Sequence, residues 1–327
     1  MERRTLVKNL VVLGVTAALP LKRLLAGSLH SLPNKRPFHQ FKLGTLDLTV
    51  VTDGHIVMAP VQPSFAPDIP AATVDSLLQH SFRSSKEIDL GMNMLVIKKD
   101  KQYILVDTGC GAAFGPQAGW LTTTLADAGI QLSAITDIVI THGHPDHIGG
   151  LLNTQGGLTF PNANVYMSRI EHDFWMANQQ DFSKSRFKEK ELLHRFTLAT
   201  QKAITTLGKR LHLFDHPSEL FGCIRLELAA GHTPGHTLVH VFSGEEEIVH
   251  IADLLHSDVL LAPHPDWGFY GDTDFDQAAA TRKRVLGVLA DGKKKIFAYH
   301  LPWPGIGHVS RNGDGFNWIS EVYAFPS

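Results

Sequence analysis

The run Thr141-His142-Gly143-His144-Pro145-Asp146-His147-Ile148-Gly149-Gly150 follows directly on the apolar residues Ile138-Val139-Ile140. Three imidazoles and one carboxylate thus fall within six positions, 142–147, at the point where a buried strand has to end. Desolvated histidines crowded beside an aspartate are costly unless a cation organises them. That cost argues against a polar turn that merely happens to be rich in histidine. Neutral imidazole and carboxylate are the donors that Zn²⁺ and similar borderline metals accept. A strand ending here delivers all four side chains to one loop at a sheet edge, and this fixes a metal-binding α/β reading.

Four donors in one loop do not fill a two-metal site, so partners are expected elsewhere. His232 in Gly231-His232-Thr233-Pro234-Gly235-His236 follows the strand-like Ile224–Leu228. Asp253 follows Glu247–Ala252, and His300 follows Lys295–Tyr299. Each lies just beyond an apolar run, where open sheets converge their side chains.

The set His142, His144, Asp146, His147, His232, Asp253 and His300 resembles the metallo-β-lactamase superfamily, in particular its dinuclear hydrolases such as N-acyl-homoserine lactonases and methyl parathion hydrolase. Asp107-Thr108-Gly109 after Tyr103–Val106 looks like that superfamily's first signature, and the likeness spans from about Phe41 to the end. It implies a four-layer αββα sandwich with a helical insertion; periodicity alone leaves several α/β architectures open. It also implies that His142, His144 and His232 hold one metal, that Asp146, His147 and His300 hold the other, and that Asp253 bridges them. Two Zn²⁺ are expected because no thiolate is among the donors, with Co²⁺, Mn²⁺ or Fe²⁺ as other fitting ions. Two such cations, roughly 3.5–4 Å apart, supply a shared hydroxide that attacks carbonyl carbon or phosphorus.

Two residues carry expected catalytic roles. Asp146 is expected to shuttle a proton to the leaving alkoxide besides ligating. His256, three residues beyond Asp253, is expected to donate to a developing oxyanion or to orient Asp253, with a buried structural histidine as the plain alternative. Asp107 reads as a carboxylate orienting a ligand histidine. His55, His236, His240, His250 and His308 read as structural or surface residues.

The chain start reads differently. Glu2-Arg3-Arg4-Thr5-Leu6-Val7-Lys8, an apolar stretch from Leu10 to Leu19, then Lys22-Arg23, looks like a twin-arginine export signal. The apolar part is too short to span a bilayer. Residues 1–28 are therefore expected to be a signal and 29–327 one hydrolase domain, exported to the periplasm without a stable membrane anchor after processing. A formal charge of −2 and the lack of a dense basic run argue against nucleic acid. The cysteines Cys110 and Cys223 make no disulfide framework. A homodimer stays open.

Alternation at Leu46-x-Leu48-x-Val50 predicts a strand, turned into a second short strand by Asp53-Gly54. Met94–Ile97 and Tyr103–Val106 predict a hairpin, and Phe275–Leu289 a helix. The segment Ile170–Leu207 reads as a long helical insertion carrying Phe174, Trp175, Met176, Phe182, Phe187 and Phe196, some of which are expected to wall an apolar entrance. Trp267, Phe269 and Tyr270 are further wall candidates.

Within the superfamily, the absence of a ligand cysteine argues against the β-lactamase branch, and His144 in place of an acidic residue against the flavodiiron branch. Glyoxalase II shares much of the ligand set, but no basic cluster for glutathione stands out. The expected substrate is a small ester, lactone or phosphotriester, with N-acyl-homoserine lactones (quorum quenching) foremost. The Asp253-Leu254-Leu255-His256 arrangement is closer to the methyl parathion hydrolase group, so an aryl phosphotriesterase is the alternative. A non-catalytic metal-binding protein is the third reading, and it predicts a lost ligand; none of the seven is missing.

Overall fold

A computed structural model describes residues 36–321. The stretch read as an export signal lies outside the described residues. The hairpin β1 (Phe38–Leu43) and β2 (Leu46–Met58) opens the first sheet. After two helices, α1 (Val61–Ser64) and α2 (Ala71–His80), come β3 (Ile88–Lys99) and β4 (Gln102–Val106), still antiparallel. Helix α3 (Leu121–Asp127) leads to β5 (Asp137–Ile140), and a single turn, α4 (Pro145–Ile148), sits inside the histidine-rich loop. β6 (Asn164–Ser168), the insertion helices α5 (Arg169–Met176) and α6 (Lys190–Leu207), and β7 (Leu211–Phe214) finish this half. From β4 to β7 the strands run parallel, and the sheet order is β1 to β7 in sequence.

The second sheet is built from β8 (Ser218–Leu220), β9 (Ile224–Leu228), β10 (Thr237–Ser243) and β11 (Glu246–His250). Helix α7 (Phe275–Asp291) then precedes β12 (Lys295–Phe297), β13 (Ile306–Asn312) and β14 (Gly315–Ser320). Its order runs β14 to β8, with β11 and β12 parallel and the other neighbours antiparallel.

Strand periodicity explains the layering. Successive side chains point to opposite faces. Leu95, Ile97, Ile104, Val106 and Val139 pack with Val239, Val241, Ile248 and Phe297 into a core between the sheets. Their alternates Met94, Val96, Leu105, Ile138 and Ile140 pack outward with Leu121, Leu125, Ile204 and Leu207 of the helices. Leu238, Val249 and Ile296 likewise meet Val74, Leu78, Val285 and Leu286 on the far side. Strands apolar on both faces need helices on both outer faces, and the result is an αββα sandwich. In α7, Asp274 caps the first turn by accepting from the Gln277 N–H, and Ala278, Arg282, Val285, Leu286 and Leu289 form the buried stripe.

One local expectation fails. Asp53-Gly54 does not turn the chain; β2 continues to Met58 with a bulge between Thr52 and His55 in its pairing with β3. The Asp53 carboxylate accepts from the Cys110 and Leu121 N–H groups, at 2.8 and 2.7 Å, and Gly54 takes φ +95° beside Ala118. Long-range partners thus convert an apparent turn signal into a bulge.

Candidate metal centre

β4 and β5 run in one direction in the first sheet, and β9, β11 and β12 share one direction in the second. The loops leaving their carboxyl ends carry Asp107, residues 142–147, His232, Asp253 and His300. The structure brings all seven predicted donors together. They form two groups, His142, His144, His232 with Asp253, and Asp146, His147, His300 with Asp253, the donor atoms of each group lying within 4.8 Å of one another. Asp253 belongs to both.

Outer partners fix which ring nitrogen faces inward. His147 Nδ1 lies 2.9 Å from Asp107 Oδ2, His232 Nδ1 2.9 Å from Asp272 Oδ1, and His300 Nδ1 2.8 Å from the Gly91 carbonyl. The Thr141 hydroxyl donates its one proton to Asp107 Oδ2 at 2.8 Å, so it accepts from His142 Nδ1 at 3.1 Å. All four rings therefore turn Nε2 into the site. His144 instead presents Nδ1, 3.1 Å from His142 Nε2 and 2.9 Å from His232 Nε2. Three lone-pair nitrogens at such separations repel one another unless a cation or proton lies among them. His147 Nε2 and Asp253 Oδ1 are 2.9 Å apart and buried, yet neither makes a hydrogen bond, because the contact lies off the ring's N–H direction. A divalent cation shared by these atoms fits both observations.

The electrostatics agree. Burial lowers the His142 pKa well below the ordinary imidazole value, helped by His147, and lowers that of His144 to about 3, helped by His232. At His147 burial pulls down too, but Asp253, Asp146 and Asp107 outweigh it and hold the pKa well above normal. His232 and His300 are pushed up to about 9 against burial, mainly by Asp253. With protein groups alone, the carboxylates raise the pKa of three imidazoles and so favour positive charge among the donors.

Several residues outside the predicted set support the loops. Glu171, buried at the start of the insertion, accepts from Gly143 N (2.8 Å) and Trp175 Nε1 (2.6 Å) on Oε1, and from Thr233 Oγ1 (2.7 Å) and Gly235 N (2.8 Å) on Oε2. A Cβ on Gly143 would sit 2.3 Å from Trp175 Nε1, and one on Gly235 2.4 Å from Glu171 N, so only glycine lets both loops approach this brace. His236, read from sequence as structural, accepts the Asp253 N–H at 3.1 Å and so helps to set the shared carboxylate. His256 Nε2 stands 3.1 Å from Asp253 Oδ2, its ring stacked between Phe269 and His300. Cys110 is a buried neighbour of Asp53 and belongs to neither donor group.

Above the donors opens a cavity of about 280 Å³, walled by Ile56, Met58, Phe187, Leu193, Phe196 and Phe269, with Tyr270 beside them. Of the predicted insertion aromatics, Phe187 and Phe196 reach it. Phe174, Trp175 and Phe182 instead pack on one another and on the first-sheet core, and Met176 is exposed. Trp267 stacks on His264 and lies outside the cavity lining.

The profile of the metallo-beta-lactamase superfamily matches residues 89–300, a span that holds every donor named above. The chain belongs to the metallo-beta-lactamase superfamily. Among solved structures of that fold, AidC, a dizinc quorum-quenching lactonase in complex with the product N-hexanoyl-L-homoserine, is 43% identical, covering 88% of this chain and 99% of its own, with a TM-score of 0.85. The hydrolase AbOPH is 29% identical over 88% of this chain and 99% of its own, at 0.80. A quorum-quenching N-acyl homoserine lactone lactonase, 16% identical over 82% of this chain and 100% of its own, at 0.56, shares the fold alone. A comparison with curated proteins finds no match. This superfamily member is a hydrolase with two adjoining donor groups, and the four-layer sandwich expected from the likeness is the one observed.

Proposed function

We propose that the protein opens the ring of N-acyl-homoserine lactones, with His142, His144 and His232 holding one cation, Asp146, His147 and His300 the other, and Asp253 both. One observation carries this reading: an apolar cavity sits directly over the paired donor groups, in a chain 43% identical to a dizinc lactonase with an acyl-homoserine product. Two Zn²⁺ bound there would lower the pKa of a shared water and polarise a carbonyl oxygen.

The protein's own groups do the rest. Phe187, Leu193 and Phe196 receive the acyl chain and exclude water, each buried methylene adding about 0.8 kcal/mol. Asp146 turns Oδ2 toward His300 Nε2 at 3.3 Å and keeps its other oxygen to carry a proton from the nucleophile to the leaving alkoxide. Burial lowers the His256 pKa to about 4, leaving a neutral ring at pH 7. Its Nε2 stands at hydrogen-bond distance from Asp253 Oδ2, which supports the role of orienting that carboxylate.

The test compares turnover of N-hexanoyl-homoserine lactone with that of methyl paraoxon on zinc-loaded protein. The reading expects kcat/KM to favour the lactone by about a hundredfold or more, some 3 kcal/mol of transition-state discrimination. Preference for the phosphotriester would replace it with the aryl phosphotriesterase reading. No ester turnover at full occupancy would leave a non-catalytic metal protein. The export reading for residues 1–28 joins this proposal: Arg3→Lys with Arg4→Lys should keep the protein out of the periplasmic fraction, and unchanged export would refute it.

A further inference from the structure

Arg282 lies in the buried stripe of α7 with only 1% of its surface exposed. Its guanidinium reaches three acceptors in separate stretches of chain. Nε donates to the Leu254 carbonyl at 2.8 Å, one residue past Asp253, and Nη1 donates to the Pro265 carbonyl at 2.9 Å. Nη2 donates to Asp272 Oδ2 at 3.1 Å. Asp272 passes the contact on: Oδ1 meets His232 Nδ1 at 2.9 Å, and Oδ2 also accepts the Phe269 N–H at 3.2 Å. Phe269 in turn stacks on His256, ring centroids 4.3 Å apart, and walls the cavity.

The chemistry at this place is exacting. Asp272 is wholly buried, and a buried carboxylate without its partner is strongly destabilising. Three acceptors spread around one plane match the rigid fork of a guanidinium, whereas an ammonium is a point charge with no such directions. None of the three contacts is explained by helix packing, which an apolar residue at position 282 would satisfy.

We propose that Arg282 is a positioning residue for the site of His142, His144 and His232, acting through Asp272, and that the same guanidinium ties that site's geometry to the Phe269 wall of the substrate cavity. It touches no reacting atom. The inference rests on the ligand assignment proposed above, and not on which ester is the substrate.

The experiment uses the full chain carrying Arg282→Lys or Asp272→Asn. Stepwise zinc uptake is measured by chelator competition, and proton NMR of the Co²⁺-loaded protein follows the shifted Nδ1–H signals of the ligating imidazoles. Outer partners of a ligating histidine change metal affinity by about 10–100-fold, so one zinc equivalent should weaken by that factor while the other stays within about threefold. The His232 signal should be displaced or lost while those of His147 and His300 persist, and KM should rise more than kcat falls as the wall loosens. Asp272→Asn keeps the shape, yet in either orientation its NH₂ faces a donor from His232, Phe269 or Arg282. Should Arg282→Lys not fold, Asp272→Asn decides on the same criteria. Both equivalents weakened alike, or neither weakened, would overturn the role of Arg282. Fewer than two equivalents on the unaltered protein would overturn the ligand assignment itself.

Discussion

Replacing Glu171 by Gln is the sharpest probe of how the two histidine loops are held, because it changes no shape. The carboxylate takes four donors, two on each oxygen, from Gly143, Trp175, Thr233 and Gly235. An amide NH₂ in the Oε1 place faces two N–H groups that cannot reverse. In the Oε2 place it faces one such group, Gly235 N–H, and a threonine hydroxyl that can rotate to accept. The second orientation is better, but it still leaves one buried N–H unpaired, at about 1–3 kcal/mol, and downgrades the remaining bonds from charged to neutral. Burial raises the Glu171 pKa, so relief of desolvation returns part of this loss. The net expectation is about 2–4 kcal/mol of stability, with Glu171→Ala costing more because all four donors lose their acceptor. Urea melts of zinc-loaded protein measure it, and chelator competition should show about tenfold or greater weakening at the site shared by the braced loops. A Gln variant within about 0.5 kcal/mol of the parent, the range of neutral surface changes, would refute the brace.

Asp253→Ala should abolish both catalysis and the binding of two zinc equivalents; full uptake with normal turnover would contradict a shared carboxylate. Zinc uptake should release protons at pH 7 and weaken as pH falls, since His232 and His300 hold protons up to about 9 that the cation must displace. Calorimetry in buffers of different ionisation enthalpy checks this, and zero release would count against it. Burial pushes the Asp53 pKa up to about 6, so its contribution to stability is full below the unfolded value near 4 and is lost as pH rises through 6. Relative to Asp53→Asn, the parent should therefore lose about 2 kcal/mol between pH 4 and pH 7, and parallel stability curves would refute that linkage.

The candidate donors are legible because each stands next to an apolar run that ends, so local sequence reports both the strand and its terminus. His142, His144, Asp146 and His147 even share one loop. Their supporting residues carry no such local mark. Glu171, Asp272 and Arg282 look like ordinary helix or loop charges until folding sets them against partners distant in the chain. His236 carries no such mark either, because its partner is the Asp253 N–H, a backbone group that no side-chain pattern reveals. Asp53-Gly54 misled for a related reason: the carboxylate answers amides of Cys110 and Leu121, and the bulge follows. The insertion aromatics divide by the element that carries them, with Trp175 on α5 turned to Glu171, Phe187 in the stretch between α5 and α6 and Phe196 on α6 turned to the cavity, and composition alone cannot assign those places.

Both donor groups draw on both sheets: His142 and His144 sit with His232, and Asp146 and His147 with His300. The cations would therefore rivet the two halves of the sandwich along one rim, beside the backbone bonds from the Thr237 N–H to the Thr141 carbonyl (3.1 Å) and from the Asn93 N–H to the Tyr299 carbonyl (2.9 Å). A chain released after its first half would lack His232, Asp253 and His300, and sliding of one half on the other would part both donor groups.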